Sequence, residues 1–405
     1  MTSIAILGYG TVGSGVAHVL DENTGEVRAS AHDDVRVKAI LDLREFPGDP
    51  HEKQVTHDFQ TILDDPEIRV VCETMGGVNP AYEFTKKALQ AGKSVCTSNK
   101  ELVAKHGPEL VRIARENRVS YLFEASVGGG IPILRTLEGA LKSERITGIT
   151  GILNGTTNYI LTRMDQEGAS FEDVLRQAQE LGYAERDPSA DIEGHDACRK
   201  IAILGSLMMG GYVDSESVPT EGITRISTAD LSGAREFGMA IKLLGHCRCT
   251  DKGLDISVAP YLIGRENPLA SVNGVFNAIA VDGNMLGTSM YYGQGAGRDA
   301  TASAVVADVC EIVRNAGSTV PVSMSADAVE LAPAGDGFRR YFLRVDGSHA
   351  QEAQAAFEGS TCKTVKGADG AEEACLLTGK LRESAFTGQL ESLSGVRNWI
   401  RVLDE

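Results

Sequence analysis

Two features that often assign a chain to a class of protein are missing here. None of the eight cysteines forms a CxxC pair, and Cys247-Arg-Cys249 alone does not make a zinc site. Cysteines scattered in this way are typical of small buried side chains in a reducing compartment. Positive charge is also scarce, with a net charge of −17. That balance excludes nucleic acid and anionic membrane as expected partners.

Long hydrophobic runs are missing too. The longest, residues 201–213, is too short and too interrupted by glycine to span a bilayer. Met1 leads directly into an apolar strand, without a basic leader or a cleavage site. We therefore expect a soluble, cytoplasmic protein, and 405 residues predict two or three domains.

Glycine is abundant, with 45 residues, and the first cluster has a recognisable order. Residues 3–7 predict a buried strand, GYGTVG follows at once, and an apolar helix comes next. In such a turn the first glycine allows the tight bend, the second admits a pyrophosphate, and the third lets helix and strand pack closely. The helix N-terminus then faces the phosphates. We expect the dinucleotide to contact Gly8, Gly10, Thr11, Val12 and Gly13.

The second predicted strand, residues 35–41, ends in Asp42. An acidic residue there bonds the adenosine ribose hydroxyls and favours NAD over NADP. Arg44 lies two residues on and offers a site for a 2′-phosphate instead. The sequence therefore leans towards NAD and leaves NADP open.

Further strands are predicted over 70–74, 94–97 and 121–124, with helices over 81–90 and 108–117. Thr74 and Lys100 follow two of these strands, at the carboxyl edge where ligands of open α/β sheets bind. We expect Thr74 near the cofactor. Lys100 is either a site residue or a surface lysine at a helix start.

Glu124 is followed by a loop with three glycines, EASVGGGIP. One carboxylate with exposed backbone carbonyls suits a hard monovalent cation better than a transition metal. The alternative is a glycine-rich turn after a strand. A strand is also expected over 146–153, and the NGTTN that follows either binds a small carboxylate or caps the helix predicted over 159–165.

The densest group of charges lies in residues 182–200, GYAERDPSADIEGHDACRK, directly before a buried apolar segment. Asp196 and Lys200 are four residues apart and share one face of a helix. A charged pair that leads into a buried helix is costly unless it is paired or used. The spacing alone leaves a catalytic site and a structural ion pair both open.

With these motifs in order, the chain resembles the homoserine dehydrogenase family over nearly its full length. The motifs that carry the resemblance are GYGTVG at 8–13, SNK at 98–100, EASVGGGIP at 124–132, NGTTNYIL at 154–161, the run 182–200, and GQGAGRDATASAVVADV at 293–309. The run 182–200 is the specific one, since GxGxxG alone indicates only a dinucleotide.

The resemblance implies NAD(P)-dependent interconversion of L-homoserine and L-aspartate 4-semialdehyde. It implies Lys200 as the acid/base group, with Lys100 as its partner near the nicotinamide and Asp196 as the orienting carboxylate. The remaining implied residues are Glu185, Asp191, Gly155 and Thr156 for substrate; Gly295 and Gly297 for cofactor; and Glu124, Val127, Gly129 and Ile131 for Na⁺ or K⁺. A lysine base needs a lowered pKa, which a dry site and a second lysine would supply.

The fold class expected is α/β. A Rossmann-type doubly wound domain would comprise residues 1–130 and 293–330, with the discontinuity implied by the resemblance. An α+β substrate and dimerisation domain would comprise 131–292, and a small ACT-like α+β domain would comprise 338–405. The resemblance implies a homodimer or homotetramer. Asp346-Gly-Ser-His replaces the usual ACT turn, so threonine inhibition and a purely stabilising role both stay open.

Two other functions are compatible with parts of this sequence. An aspartate-semialdehyde dehydrogenase would need an activated cysteine, and neither Cys72, Cys96 nor Cys198 has the expected neighbours. A nucleotide-sensing regulatory protein would share the Rossmann and ACT-like parts but would not need a lysine beside clustered carboxylates. Production of NAD(P)H from L-homoserine would separate all three.

Overall fold

The first part of the chain forms a six-stranded parallel sheet with helices on both faces. A computed structural model describes residues 1–367 and 370–404. The strands of this sheet are β1 (Thr2–Leu7), β2 (Val35–Leu41), β3 (Val55–Thr56), β4 (Ile68–Glu73), β5 (Ser94–Thr97) and β6 (Tyr121–Leu122). The helices are α1 (Thr11–Glu22), α2 (Thr24–Ala31), α3 (Phe59–Asp64), α4 (Ala81–Gln90) and α5 (Lys100–Glu116).

The strand order β3-β2-β1-β4-β5-β6 is that of a doubly wound dinucleotide fold. The order reverses between β1 and β4, and ligands of such sheets bind beside that point at the carboxyl ends. Every residue of β1 is buried, as expected for a parallel strand covered on both faces. The predicted α/β class and the Rossmann-type sheet are confirmed.

The second part combines helices with long antiparallel strands. Its helices are α6 (Ile133–Arg135), α7 (Gly155–Glu167), α8 (Phe171–Glu180), α9 (Ser189–Ile192), α10 (His195–Met209), α11 (Thr228–Glu236) and α12 (Arg298–Arg314). Its strands are β7 (Ile146–Ile152), β8 (Met239–Thr250), β9 (Gly253–Gly264), β10 (Phe276–Gly283) and β11 (Gly287–Gln294). Helix α12 returns to pack against α1 and α2, which supports a discontinuous first domain.

The C-terminal part has β-α-β-β-α-β order. Its elements are β12 (Phe338–Arg339), β13 (Tyr341–Asp346), α13 (Ala350–Ala356), β14 (Thr361–Lys366), β15 (Glu372–Leu377), β16 (Leu381–Arg382), α14 (Glu383–Leu390) and β17 (Val396–Val402). Strands β12 and β16 form a separate pair. The other four join the second part in one nine-stranded sheet, β11-β10-β7-β8-β9-β17-β13-β15-β14.

Some predicted boundaries were wrong. Helix α5 starts at Lys100 instead of residue 108, because Asn99 caps it by accepting from Leu102 N, and Pro108 lies inside the helix. The strand predicted over 121–124 ends at Leu122, because Glu124 N donates to Asp308 and the chain turns into a 3₁₀ helix. Helix α7 starts at Gly155 instead of residue 159.

Burial agrees with the apolar pattern of the sequence. Six of the eight cysteines are buried, whereas Cys249 is exposed and Cys362 is half-buried. Within residues 1–367 and 370–404, no helix is both long enough and apolar enough to cross a membrane.

Candidate active site

The glycine turn between β1 and α1 has the geometry that a dinucleotide needs. Gly8 adopts φ +88°, where glycine is favoured, and a Cβ on Gly13 would lie 2.0 Å from Gly8 O. A Cβ on Gly10 would meet no atom within 4 Å, so that side of the turn is open. Gly10 is the N-cap of α1 and supplies no side-chain cap, which leaves the first-turn amides, with Thr11 and Val12, free for phosphate.

Thr74 supports this turn from the next strand. Its Oγ1 donates to Gly8 O at 2.7 Å and to Leu7 O at 3.1 Å. The predicted cofactor residue therefore lies at the turn, with its hydroxyl engaged in holding the turn closed. Glu73, the last residue of β4, is fully buried and accepts from Thr97 Oγ1 at 2.6 Å.

Asp42 and Arg44, the two residues expected to decide the cofactor, are paired with each other. Arg44 Nε donates to Oδ1 and Arg44 Nη2 to Oδ2 of Asp42, both at 2.9 Å. Tyr9 N donates to Oδ2 at 2.7 Å. The Arg44 hydrogen bond, together with those from backbone amides, holds the pKa of the Asp42 carboxyl well below its usual range. Asp42 is thus an anion at the end of β2.

Lys100 is brought to the carboxyl edge of the sheet by the cap of α5. Asn99 is the N-cap, its Oδ1 accepts from Leu102 N at 3.1 Å, and its Nδ2 donates to Gly77 O at 2.6 Å. These bonds fix the first turn of the helix beside the loop that follows β4. Lys100 does lie at the start of a helix, as expected for a surface lysine. Its ammonium, however, points to Asp196 on α10.

Two lysines meet at one buried carboxylate, Asp196. Lys200 Nζ lies 2.8 Å from Asp196 Oδ2, and Lys100 Nζ lies 2.5 Å from Asp196 Oδ1. Lys200 also donates to Leu153 O at 2.8 Å. Asp196 and Lys200 are buried, whereas the Lys100 side chain is 40% exposed. The predicted i,i+4 pair therefore exists, and it is joined by a lysine from the dinucleotide sheet.

The charges in this group act on one another in definite directions. Burial lowers the pKa of the Lys200 ammonium and Lys100 lowers it further, while Asp196 opposes both. Burial also disfavours the charge of Lys100, but Asp196 outweighs it and raises the Lys100 pKa. Burial alone would raise the pKa of Asp196, yet Lys200 and Lys100 together hold it well below its usual range. Of the two lysines, Lys200 is therefore the one whose pKa is lowered.

Asp191 belongs to the same cluster through Asn154. Asn154 Nδ2 donates to Asp191 Oδ1 at 2.7 Å and to Asp196 Oδ2 at 2.9 Å, while its Oδ1 caps α7 at Thr157 N. Burial and the nearby Asp196 charge raise the pKa of Asp191. Asn154 was not predicted as a site residue; its position before GTTN, typical of an N-cap, was the available signal.

The other predicted substrate residues lie around this cluster with different degrees of contact. Gly155 begins α7, and a Cβ there would approach Val275 O to 2.6 Å. Thr156 Oγ1 donates to Tyr183 O at 2.6 Å, which ties α7 to the loop carrying Glu185. Glu185 itself is exposed, and in the described part of the chain no hydrogen bond or ion pair joins its carboxylate to the cluster.

The glycine-rich loop after Glu124 packs on the returning loop before α12. Gly129 adopts φ +57°, and a Cβ there would lie 2.5 Å from Gly295 O. A Cβ on Gly295 would clash with the Asn277 side chain. Gly297 is the N-cap of α12, with φ +120°. The absence of side chains at Gly129 and Gly295 thus allows the two loops to pack closely.

Glu124 is buried, and both its oxygens accept backbone amides, from Leu134 N at 2.9 Å and Arg135 N at 2.6 Å. Asp308 is buried next to it and pairs with Arg135 Nη2 at 2.7 Å. Burial and the Glu124 charge raise the pKa of Asp308 to about 7. Arg135 therefore contacts both buried carboxylates, Asp308 through its guanidinium and Glu124 through its backbone N–H.

Comparison with known proteins gives a consistent result along the chain. Residues 8–124 match the family model described as "Homoserine dehydrogenase, NAD binding domain", and residues 132–310 match the model described as "Homoserine dehydrogenase". The homoserine dehydrogenase of Synechocystis sp. is 47% identical over 318 residues, which cover 76% of this chain and 73% of that protein. The homoserine dehydrogenase of Bacillus subtilis is 37% identical over 409 residues, covering 96% and 94%.

A solved structure is similar over the full length. The crystal structure of a homoserine dehydrogenase from Thiobacillus denitrificans aligns with a TM-score of 0.90 and 35% identity. The alignment covers 100% of this chain and 98% of that one, so it includes the C-terminal part.

Proposed function

This chain belongs to the homoserine dehydrogenase family of NAD(P)-dependent oxidoreductases, and from that premise we propose that Lys200 transfers the proton of the substrate γ-hydroxyl. The observation that carries the proposal is the meeting of Lys200 and Lys100 at Asp196, where α10 approaches the carboxyl edge of the dinucleotide sheet. The substrate pair implied by the family is L-homoserine and L-aspartate 4-semialdehyde.

The proton chemistry follows from the donors around Lys200. An ammonium has three N–H groups, and Leu153 O and Asp196 take two of them. The third is available to the reacting oxygen. In oxidation the neutral amine accepts the hydroxyl proton; in reduction the ammonium returns it. A nicotinamide, when bound, supplies or accepts the hydride. Because the pKa of Lys200 is lowered, the pH at which the ammonium and the neutral amine are equally populated lies closer to neutral.

Substrate orientation is proposed for the residues around this lysine. Asp191 and Glu185 would attract the substrate ammonium, and Gly155 and Thr156 would bind its carboxylate. Asp191 is held beside Asp196 by Asn154, which supports this role. Glu185 lies two residues after Tyr183, whose carbonyl accepts from Thr156 Oγ1, and this link supports its place near Thr156.

The family's monovalent cation is proposed at the loop that follows Glu124. Glu124, Val127, Gly129 and Ile131 would hold Na⁺ or K⁺, mostly through backbone oxygens. The burial of two neighbouring carboxyl groups, Glu124 and Asp308, beside the single Arg135 guanidinium supports this site. The cation would stabilise the loop that packs against Gly295.

Replacement of Lys200 by methionine tests the proton transfer. We expect Lys200→Met to abolish NAD(P)H production from L-homoserine while NAD(P)H binding, measured by fluorescence titration, is retained. Lys242→Met is the matched control, since Lys242 is also buried and its pKa is lowered to about 8 by burial, but it bonds only neutral groups such as Asn158 and Val272 O. Turnover retained by Lys200→Met would refute the assignment.

Cofactor preference is proposed to be for NAD. Asp42 is an anion to which Arg44 donates through Nε and Nη2, and a carboxylate at this position opposes a 2′-phosphate. We expect wild-type kcat/KM to be higher with NAD⁺ than with NADP⁺, and Asp42→Ala, which frees Arg44, to reverse or erase the difference. Arg44→Ala is the control and should keep the preference for NAD⁺, because the Asp42 carboxylate is still present.

A homodimer through the face of the second sheet at β10 and β11 is proposed. Strand β11 is an edge strand, and Met290 and Tyr292 on it are 39% and 55% exposed beside Phe276. Exposed apolar groups of this kind mark association surfaces. We expect Tyr292→Lys to shift the sedimentation coefficient towards a monomer. Phe338→Lys, at an equally exposed aromatic elsewhere, should leave the oligomer intact.

The C-terminal part is proposed to be an ACT-like unit with a stabilising role. Its four-stranded half-sheet has the order β17-β13-β15-β14, the fourth, first, third and second strands of a β-α-β-β-α-β unit. Continuity with the second sheet supports stabilisation. Titration of L-threonine into the activity assay tests the regulatory alternative, because inhibition at low concentration would favour a sensor.

A further inference from the structure

The turn between α9 and α10 carries both carboxylates of the proposed site. Asp191 is in α9, and Asp196 is in the first turn of α10. Gly194 between them is the N-cap of α10 and adopts φ +87°, so the direction of the first turn depends on this one residue. Contacts that fix residues 192–194 therefore also fix Asp191 and Asp196. These two carboxylates act in turn on the charge and position of Lys200.

A segment from elsewhere in the chain packs on this turn. We call residues 219–227 the linking segment. Ile223 N donates to Ile192 O at 2.8 Å, and a Cβ on Gly222 would lie 2.1 Å from the same oxygen. A Cβ on Gly194 would lie 3.1 Å from Thr220 Cγ2. The contact is thus backbone against backbone, without room for a side chain at Gly222.

The other side of the linking segment is held by the C-terminal strand β17. Arg401 Nη1 donates to Glu221 Oε1 at 2.7 Å, and Asn398 Nδ2 donates to Arg225 O at 3.2 Å. The Arg401 side chain is only 11% exposed. Its Nε and Nη2 bind Glu383 within the C-terminal part, so the guanidinium is oriented before it reaches Glu221.

We propose that Glu221 and Arg401 are positioning residues, through which the C-terminal part holds the turn 192–194 and thereby Asp191 and Asp196. This inference rests on the proposed role of Lys200 and its carboxylates. The link is a contiguous set of packed groups, which is the physical basis that such coupling needs. Through this link the C-terminal part would influence the reaction even without binding a regulatory ligand.

The charges that face Lys200 predict how the pH profile responds. They are Asp196 on α10, Asp191 on α9 and Lys100 on α5. Asp196 and Asp191 raise the pKa of Lys200, so a turn that holds them less closely lets that pKa fall. In homoserine oxidation Lys200 acts as the neutral amine, and the acid limb of kcat would move to lower pH. A residue with only a structural role would not move this limb.

The experiment measures kcat, KM and the pH profile of homoserine oxidation for full-length Arg401→Gln, Glu221→Gln and the double variant. We expect each single variant to lower kcat by about tenfold and the double variant to lower it no further. The acid limb should shift to lower pH, and NAD(P)H binding should be unchanged. Arg401→Lys, which keeps the charge, should recover part of the loss.

Two controls separate positioning from stability. Arg340→Gln removes the ion pair with Asp404 inside the C-terminal part, which does not touch the linking segment, and we expect lower thermal stability with an unmoved acid limb. Gly222→Ala forces a methyl group onto Ile192 O and should repeat the kcat loss and pH shift, whereas Gly388→Ala, whose Cβ would meet nothing within 4 Å, should not.

The outcomes distinguish the two proposals. An inactive wild type, or an active Lys200→Met, would refute the proposed function. An active wild type whose acid limb stays in place in Arg401→Gln and Glu221→Gln would refute the positioning role alone. Additive losses of kcat in the double variant would likewise overturn it, because the two side chains would then act independently.

Discussion

At the scale of single residues, Asp196 connects the parts of the site. It is buried, it accepts Lys200 and Lys100 on different oxygens, and Asn154 binds it as well. A buried carboxylate is costly without partners, and here two ammonium groups compensate it. The spacing of Asp196 and Lys200 left a structural ion pair and a catalytic site open. The observed arrangement of the two residues is compatible with both.

Replacement of Asp196 by asparagine separates its charge from its shape. Asp196 raises the pKa of Lys200, so Asp196→Asn lets that pKa fall further, and the acid limb of kcat for alcohol oxidation moves to lower pH. We also expect the maximal kcat to fall by about a hundredfold, because Lys200 and Lys100 lose their common anchor. A pH–rate profile measures both effects. Asp191→Asn, the comparison variant, should give a smaller shift in the same direction; a shift to higher pH in either variant would contradict this account.

Two glycines of the first turn make a matched pair for cofactor binding. A methyl group on Gly13 would press on Gly8 O, so Gly13→Ala should lower both the thermal midpoint and NAD(P)H affinity. A methyl group on Gly10 meets nothing in the protein, so Gly10→Ala should weaken only NAD(P)H binding, by obstructing the pyrophosphate. Thermal unfolding and fluorescence titration measure the two effects. If Gly10→Ala lowered the thermal midpoint as much as Gly13→Ala, the two glycines would not have the different roles described here.

At the scale of elements, a buried ion network joins α11 to the C-terminal strands. Arg344 on β13 donates through Nε to Asp230 Oδ1 at 2.8 Å, and its Nη1 binds Glu373 on β15. Asp230 is fully buried and also closes the capping box of α11 with Ser227. The first turn of α11 is therefore tied to the C-terminal part by charge as well as by apolar packing.

Replacement of Arg344 should lower the free energy of unfolding more than replacement of an exposed arginine does. Arg344→Met leaves two buried carboxylates without their cation, and we expect a loss of about 3–5 kcal/mol in the free energy of unfolding. Chemical denaturation followed by circular dichroism measures it. Arg112→Met, which breaks the exposed i,i+4 pair with Glu116, is the control and should change little. A loss for Arg344→Met no larger than for Arg112→Met would show that the network adds nothing to stability.

At the scale of the whole molecule, the nine-stranded sheet makes the second and C-terminal parts one structure. Strand β17 pairs in parallel with β9, Arg401 with Tyr261 and Val402 with Leu262. Leu403 continues the contact by donating its N–H to Leu262 O at 2.9 Å. The edge of β9 is therefore covered only when the C-terminal part is present.

A chain that ends at Ala332 tests this dependence. It would expose the β9 edge, and open edges favour association with other chains. We expect aggregation on size-exclusion chromatography and a thermal midpoint lower by about 5–10 °C than that of the full chain. A well-behaved truncated protein with an unchanged midpoint would mean that the two parts of the sheet are independently stable.

Sequence alone determined the features that depend on short stretches of chain. The glycine spacing after β1, helix α4, strand β5 and the pairing of Asp196 with Lys200 all follow from local geometry, and all were predicted. The ordered motifs also carried the family resemblance. Element ends were less predictable. Strand β6 ends before Glu124 because the distant Asp308 accepts its N–H, and α5 starts at Lys100 because the neighbouring Asn99 caps it.

Only the tertiary structure decided which distant groups meet. Lys100 reaches Asp196 because α5 and α10 pack together, and Asn154 joins the cluster from the end of β7. The junction of β9 with β17 uses backbone groups, which every residue possesses, so no side-chain pattern marks it. Long-range approach of this kind depends on how complete elements pack, and local sequence carries little information about it.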